Sequence, residues 1–108
     1  MATPTIYNVK SLADGQLPNT KTTLYTVPAS TEATLKAIFI LNEGAGANTA
    51  NIYLKRSGSS SRKIWSRAMA TGDYTTISDF TLATDDVIEG DATNAAEVTY
   101  IITGALGS

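Results

Sequence analysis

The chain contains no cysteine and no histidine. Without thiols it can form no disulfide, thiolate nucleophile or sulfur-ligated zinc site. Without imidazole it lacks the side chain most used for proton transfer near neutral pH and for holding transition metals. No run approaches the ~20 apolar residues of a membrane span. Met1-Ala2-Thr3-Pro4-Thr5 has neither the basic start nor the apolar stretch of a secretory signal. The expectation is synthesis in a cytoplasm, with no membrane partner. No Gly-rich phosphate loop, serine elbow or metal-ligand spacing occurs. The sequence therefore predicts no catalytic residue, no metal and no cofactor, and the chain is not expected to be an enzyme.

What is present is threonine, alanine and short β-branched runs, separated by Gly, Asn, Asp and Ser. At 108 residues this is one domain, able to bury roughly 60 to 70% of its unfolded surface. Strands are expected at about 5–11, 22–27, 33–42, 50–56, 63–69, 74–82, 86–89 and 96–103. The breaks carry turn chemistry: Asp14-Gly15, Pro18-Asn19, Gly44-Ala45-Gly46, Ser57-Gly58, Thr71-Gly72-Asp73 and Glu89-Gly90-Asp91. Seven or eight strands at this spacing predict an all-β, antiparallel two-sheet β-sandwich. Ser57-Gly58-Ser59-Ser60-Ser61 reads as a flexible hairpin tip rather than a nucleophile.

The stretch from Leu24 to Leu41 is the most informative. Pro28 has no amide proton to donate and should end the strand Leu24 to Val27, with Ser30-Thr31-Glu32 carrying the turn. Beyond it, Leu35, Ala37, Phe39 and Leu41 fall on one face at a spacing of two. Ile38 and Ile40 then fall on the second face, where a half-buried sheet should be polar. Either another layer or another subunit is expected to cover them. The expected core is Leu35, Phe39, Leu41, Ile52, Leu54, Ile64, Ile77, Phe80, Leu82, Val98, Tyr100 and Ile102. In the last strand, Ala96, Val98, Tyr100 and Ile102 share the core face. Trp65 and Met69 fall on the face opposite Ile64, which reads as a covered sheet or as a subunit contact.

A net charge of −2 hides a separation. Lys55, Arg56, Arg62, Lys63 and Arg67 lie in one hairpin with no acid between Gly44 and Gly72, whereas no base follows Arg67 in the acidic remainder. Solvated faces with weak ion pairs of ~0–1 kcal/mol are the ordinary explanation. Nucleic-acid binding would need stacking aromatics among the cations, and Trp65 between Lys63 and Arg67 is the only platform. A pI near 4.9 opposes a polyanion over most of the surface, so no nucleic-acid partner is expected. Docking of a basic edge on an acidic neighbour is preferred. It makes Ile38, Ile40, Lys55, Arg56, Arg62, Lys63, Trp65, Arg67, Met69, Asp85 and Asp86 the candidate interface. Asp85, Asp86, Glu89 and Asp91 also form the densest carboxylate group, but they fit no EF-hand loop and an Asp-rich turn explains them. Tyr53, Trp65 and Tyr74 are the available platform for a glycan-binding alternative.

Several short motifs combine. Tyr25-Thr26-Val27-Pro28-Ala29, a strand closing on Leu41-Asn42, Ile52-Tyr53-Leu54, and Phe80-Thr81-Leu82 leading to Asp86-Val87-Ile88 follow in order. Between about Leu24 and Thr103 the chain resembles the small β-sandwich virion proteins of tailed bacteriophages. In those a "Tyr-Thr-Val-Pro-Ala" opening and a late "Leu-x-x-Gly-Asp-x-Ile" turn recur. Here Ala83-Thr84-Asp85-Asp86-Val87-Ile88 lacks the glycine. The resemblance implies a jelly-roll-like sandwich over residues 21–108, with residues 1–20 as an N-terminal arm or edge strand. It further implies a capsid decoration or cement subunit located in the virion. Such a subunit would be a homotrimer partnered by itself and by the major capsid protein or another virion protein. A tail, baseplate or fibre component is the nearest alternative.

Overall fold

The computed structural model describes residues 9–107, apart from the side chain of Asp79. Eight strands follow one another: β1 (Lys10–Gln16), β2 (Thr22–Thr26), β3 (Glu32–Asn42), β4 (Asn48–Lys55), β5 (Arg62–Met69), β6 (Tyr74–Leu82), β7 (Val87–Ala92) and β8 (Val98–Gly107). Sheet A runs β1-β8-β3-β6 and sheet B runs β2-β7-β4-β5, and every ladder is antiparallel. The pairs β4·β5, β3·β6, β2·β7 and β1·β8 show the logic. The second half of the chain retraces the first, and the resulting two-stranded ribbon rolls up into a jelly roll. Among the described residues no helix is long and apolar enough to cross a membrane.

The core lies between the sheets. Leu35, Ile52, Leu82, Val98, Tyr100 and Ile102 are buried in it as the alternation predicts, with Leu54, Ile77 and Phe80 packed against them. Ile38 and Ile40 are also fully buried in it, and this corrects their reading as residues of a second face. The cause is a β-bulge. The β3 ladder with β8 pairs Leu35 with Gly104 and then Ala37 with Thr103, leaving Lys36 as an extra residue. One extra residue exchanges the two faces of everything beyond it. Ala33 and Leu35 point inward before the bulge, and Ile38, Ile40 and Asn42 do so after it. Phe39 and Leu41, expected in the core, are turned to the outside and are only half-buried. Gly104 makes the close approach possible, because a Cβ there would collide with the Thr34 carbonyl.

A second bulge corrects the reading of β5. Ile52 pairs with Trp65 but Tyr53 pairs with Lys63, so Ile64 is the extra residue. Met69 is fully buried and Trp65 packs on the core, while Ile64 is 36% exposed. β5 is one of the two edges of sheet B, and Arg62, Lys63 and Arg67 are exposed on it. Charged residues on an edge strand discourage unwanted strand pairing.

Two expected turns are strand. Asp14 and Gly15 lie in β1 opposite Ile101 and Tyr100, and Glu89, Gly90 and Asp91 lie in β7 opposite Tyr53, Ile52 and Asn51. Ala96, expected on the core face of the last strand, is exposed in the preceding turn at φ 62°. The Pro28 corner forms as expected, with the Thr31 amide and hydroxyl both donating to the Pro28 carbonyl. Of the segment 1–20, residues 10–16 are an edge strand of sheet A, and residues 1–8 lie outside the described residues.

Candidate functional site

The outer face of sheet A is apolar at its centre. Cross-strand partners share a face, and this places Phe39 opposite Ile101 and Leu41 opposite Tyr74 on the outside, with Ala37 beside them. The Phe39 and Tyr74 rings lie 6.1 Å apart at an interplanar angle of 33°. Tyr74 is 67% exposed, the highest value among the large hydrophobic side chains described. Around this cluster stand uncharged hydroxyls, with Thr76 opposite Phe39, Thr99 opposite Leu41 and Thr103 opposite Ala37. At ordinary strand spacings the patch covers roughly 300 Å². Among the described residues neither sign of charge occupies its centre, but Asp14 on β1 stands opposite Ile101 and Glu43 accepts from the Thr99 hydroxyl. A second copy laid on it has to leave the Asp14 and Glu43 carboxylates at the margin, in water.

The outer face of sheet B is built differently. Asn51 and Tyr53 on β4 face Asp91 and Glu89 on β7 and Ser66 and Lys63 on β5. Asn51 donates to Asp91 Oδ1 at 2.7 Å, the Tyr53 hydroxyl donates to Asp91 Oδ2 at 2.9 Å, and the Ser66 hydroxyl donates to Asn51 at 2.7 Å. Lys21 Nζ and Lys63 Nζ sit 5.2 and 5.8 Å from the centre of the Tyr53 ring. Burial pushes the Tyr53 hydroxyl pKa up, as do its hydrogen bond to Asp91 and the charges of Asp91 and Glu89. The ring is thus already engaged by two cations. The three aromatics of the glycan alternative do not converge: Tyr53 is on sheet B, Tyr74 on the opposite outer face, and Trp65 packs on the core.

The ends of the sandwich are closed by buried polar residues. At one end, Asn42 donates to the Gly46 and Met69 carbonyls and accepts from the Gly44 amide and from Asn48. Asn48 in turn donates to Glu97 and accepts from the Asn94 amide. An asparagine that closes β3 is therefore a lock on three loops. At the other end, Asp86 is 3% exposed and accepts from Arg56 at 2.7 Å, from the Ser57 amide at 2.9 Å and from the Ala83 amide at 2.9 Å. Burial by itself would raise the Asp86 pKa, but the Arg56, Ser57 and Ala83 hydrogen bonds together with the Arg56 charge hold it below the usual value.

These contacts redistribute the sequence-predicted interface. Ile38, Ile40 and Met69 are core residues, and burial removes them from any subunit contact. Arg56 and Asp86 pair within the chain, since β7 lies beside β4 and carries the acidic segment to the basic hairpin. Lys55, Arg62, Lys63, Arg67 and Asp85 are exposed, and Trp65 is half-buried. Asp85 stands at φ 69°, where the phage pattern has glycine. Aspartate is one of the few side chains that tolerates that conformation. Asp85, Asp86, Glu89 and Asp91 do not gather: Asp86 is held in the turn, Asp91 is bound by Asn51 and Tyr53, and no metal-holding group of three exists among the described residues. Sequence reasoning missed the outer face of sheet A. The signal was present in Ala37 to Leu41, which is apolar on both faces, but the bulge that assigns those faces leaves no mark in the alternation.

No known protein family matches the chain, and no curated protein matches it. Solved structures do. A Bacillus endospore appendage protein, from a novel family of disulfide-linked pili, superposes with a TM-score of 0.59 at 18% identity, covering 98% of this chain and 91% of that one. A chain of the IBDV viral particle superposes with a TM-score of 0.51 at 10% identity, over 93% of this chain and 30% of that one. This chain is thus similar in fold to most of an endospore appendage protein and to a minor part of a chain of a viral particle.

Proposed function

We propose that this chain is a non-catalytic structural subunit that assembles by burying the outer face of sheet A against a second copy. The observation that carries the reading is the uncharged cluster of Phe39, Leu41, Tyr74 and Ile101 on a face where a lone sandwich would be polar. Two neighbours in fold come from multi-subunit assemblies, a pilus and a viral particle, which supports a building-block role. The finer assignment is a virion subunit that decorates and cements a bacteriophage capsid as a homotrimer, in keeping with the motif resemblance between Leu24 and Thr103. Its action is linkage: contacts made only in the assembled shell lower the free energy of that shell.

A filament subunit is the second reading, favoured by the near-equal length of the pilus protein match. These residues carry no cysteine, so they supply no disulfide to such a filament. A patch of roughly 300 Å² is well below the ~800 Å² per partner of a standard interface. Association of two copies is therefore weak, and a lattice or filament gains strength by repeating the contact. Sedimentation over a wide concentration range tests the proposal. Mass-action growth that Tyr74→Lys suppresses is expected, whereas a monomer at every concentration overturns it.

A further inference from the structure

A pocket of about 350 Å³ opens at the loop end of the β4–β5 hairpin, lined by Leu54, Arg56, Ser59, Ser60, Arg62 and Ile64. That volume is at the low end of sites that hold small molecules. Its walls have two chemistries. Leu54 and Ile64 form an apolar wall, and Ile64 is available to it because the β5 bulge leaves this residue 36% exposed. Two guanidiniums and two serine hydroxyls supply the polar wall. The Arg56 charge is balanced by Asp86 at 2.7 Å. Arg62 makes no ion pair among the described residues, and the hairpin has no acid of its own between Gly44 and Gly72. One unbalanced cation beside an apolar wall matches one negative charge on an apolar stem. A dianion would leave a charge desolvated and unpaired.

We propose that this pocket binds a carboxylate carried on a short aliphatic stem. Arg62 and the Ser59 and Ser60 hydroxyls hold the head group, and Leu54 and Ile64 cover the stem. Arg62 presents a planar fork of donors that a carboxylate can accept in pairs. The carboxylate can belong to a free small acid or to an acidic residue of a neighbouring copy. The site does not depend on the outer face of sheet A.

The test is a titration with hexanoate, followed by NMR at the Leu54 and Ile64 methyl groups. Saturable shifts at about millimolar concentration are expected, with hexan-1-ol and acetate each binding about tenfold more weakly. Arg62→Ala changes an exposed side chain, so its melting temperature should match the parent while hexanoate affinity falls about tenfold. Equal binding of hexanoate and hexan-1-ol, or full affinity in Arg62→Ala, overturns the site. Sedimentation in saturating hexanoate then separates the two sources. Dissociation of the assembled protein assigns the carboxylate to a neighbouring copy, and unchanged assembly assigns it to a free acid.

Discussion

The two outer faces of this sandwich are made of the same kind of strand, yet they use their side chains in opposite ways. On sheet B several polar groups bind one another: Asp91 binds Asn51 and Tyr53, Ser66 binds Asn51, and two lysines flank Tyr53, while Glu89 Oε1 alongside is buried without a partner among the described residues. On sheet A no second layer covers the outward Phe39, Leu41, Tyr74 and Ile101 among the described residues. A face whose groups satisfy one another gains little from a partner, because any new hydrogen bond replaces an existing one. An uncovered apolar face gains whatever area a partner removes from water. Exposure by itself therefore does not mark a contact surface; unmet interaction capacity does.

The strongest way to break the contrast is to charge both faces in turn. Phe39→Lys should weaken self-association about a hundredfold or more, since it buries an unpaired cation at the centre of the patch. Lys63→Glu on sheet B should change it less than about threefold, as a rim-type charge does. Sedimentation equilibrium reads both, and equal effects would erase the distinction between the faces.

The next largest effect concerns charge spent inside the chain. Asp86→Ala should cost about 2–4 kcal/mol in urea unfolding, since it leaves two amides and a guanidinium without their acceptor. The sign with pH follows from a folded pKa below the usual aspartate value of 3.8. The stabilisation is complete above that value and is lost as pH falls through the lower folded pKa. Unfolding midpoints of the parent and Asp86→Asn should converge on acidification below about pH 4.

Smaller effects are expected at Tyr53 and Asp85. Tyr53→Phe removes one hydrogen bond to Asp91 and should cost about 1 kcal/mol of stability without altering assembly. Asp85→Gly should raise stability by about 0.5–1 kcal/mol in the same unfolding assay, because the backbone at φ 69° suits glycine better.

Much of the fold was legible because strand alternation and turn chemistry are local. The Pro28 corner, the burial of Val98, Tyr100 and Ile102, and the run from Tyr74 to Leu82 all follow from a few neighbouring residues. Asp14-Gly15 and Glu89-Gly90-Asp91 misled for an equally local reason. Turn-forming residues also sit in strands when neighbouring strands hold them. Gly90 does so because Leu17 and Leu24 pack where its side chain would be.

The candidate site was less legible. The interface drawn from sequence rested on two premises, unbroken alternation through β3 and charges separated in space as they are in sequence. The Lys36 bulge removed the first, and the β4·β7 pairing, which sets Arg56 on Asp86, removed the second.

Composition and periodicity alone determined that this chain is an all-β sandwich with neither thiol nor imidazole, because hydrophobic spacing selects strands and a missing functional group is missing in every conformation. Which of Ile38 and Phe39 is core and which is surface, and which charges are already paired, was decided only when distant strands met. A single extra residue in a ladder exchanges the faces beyond it, and antiparallel pairing brings together residues that the chain order keeps apart.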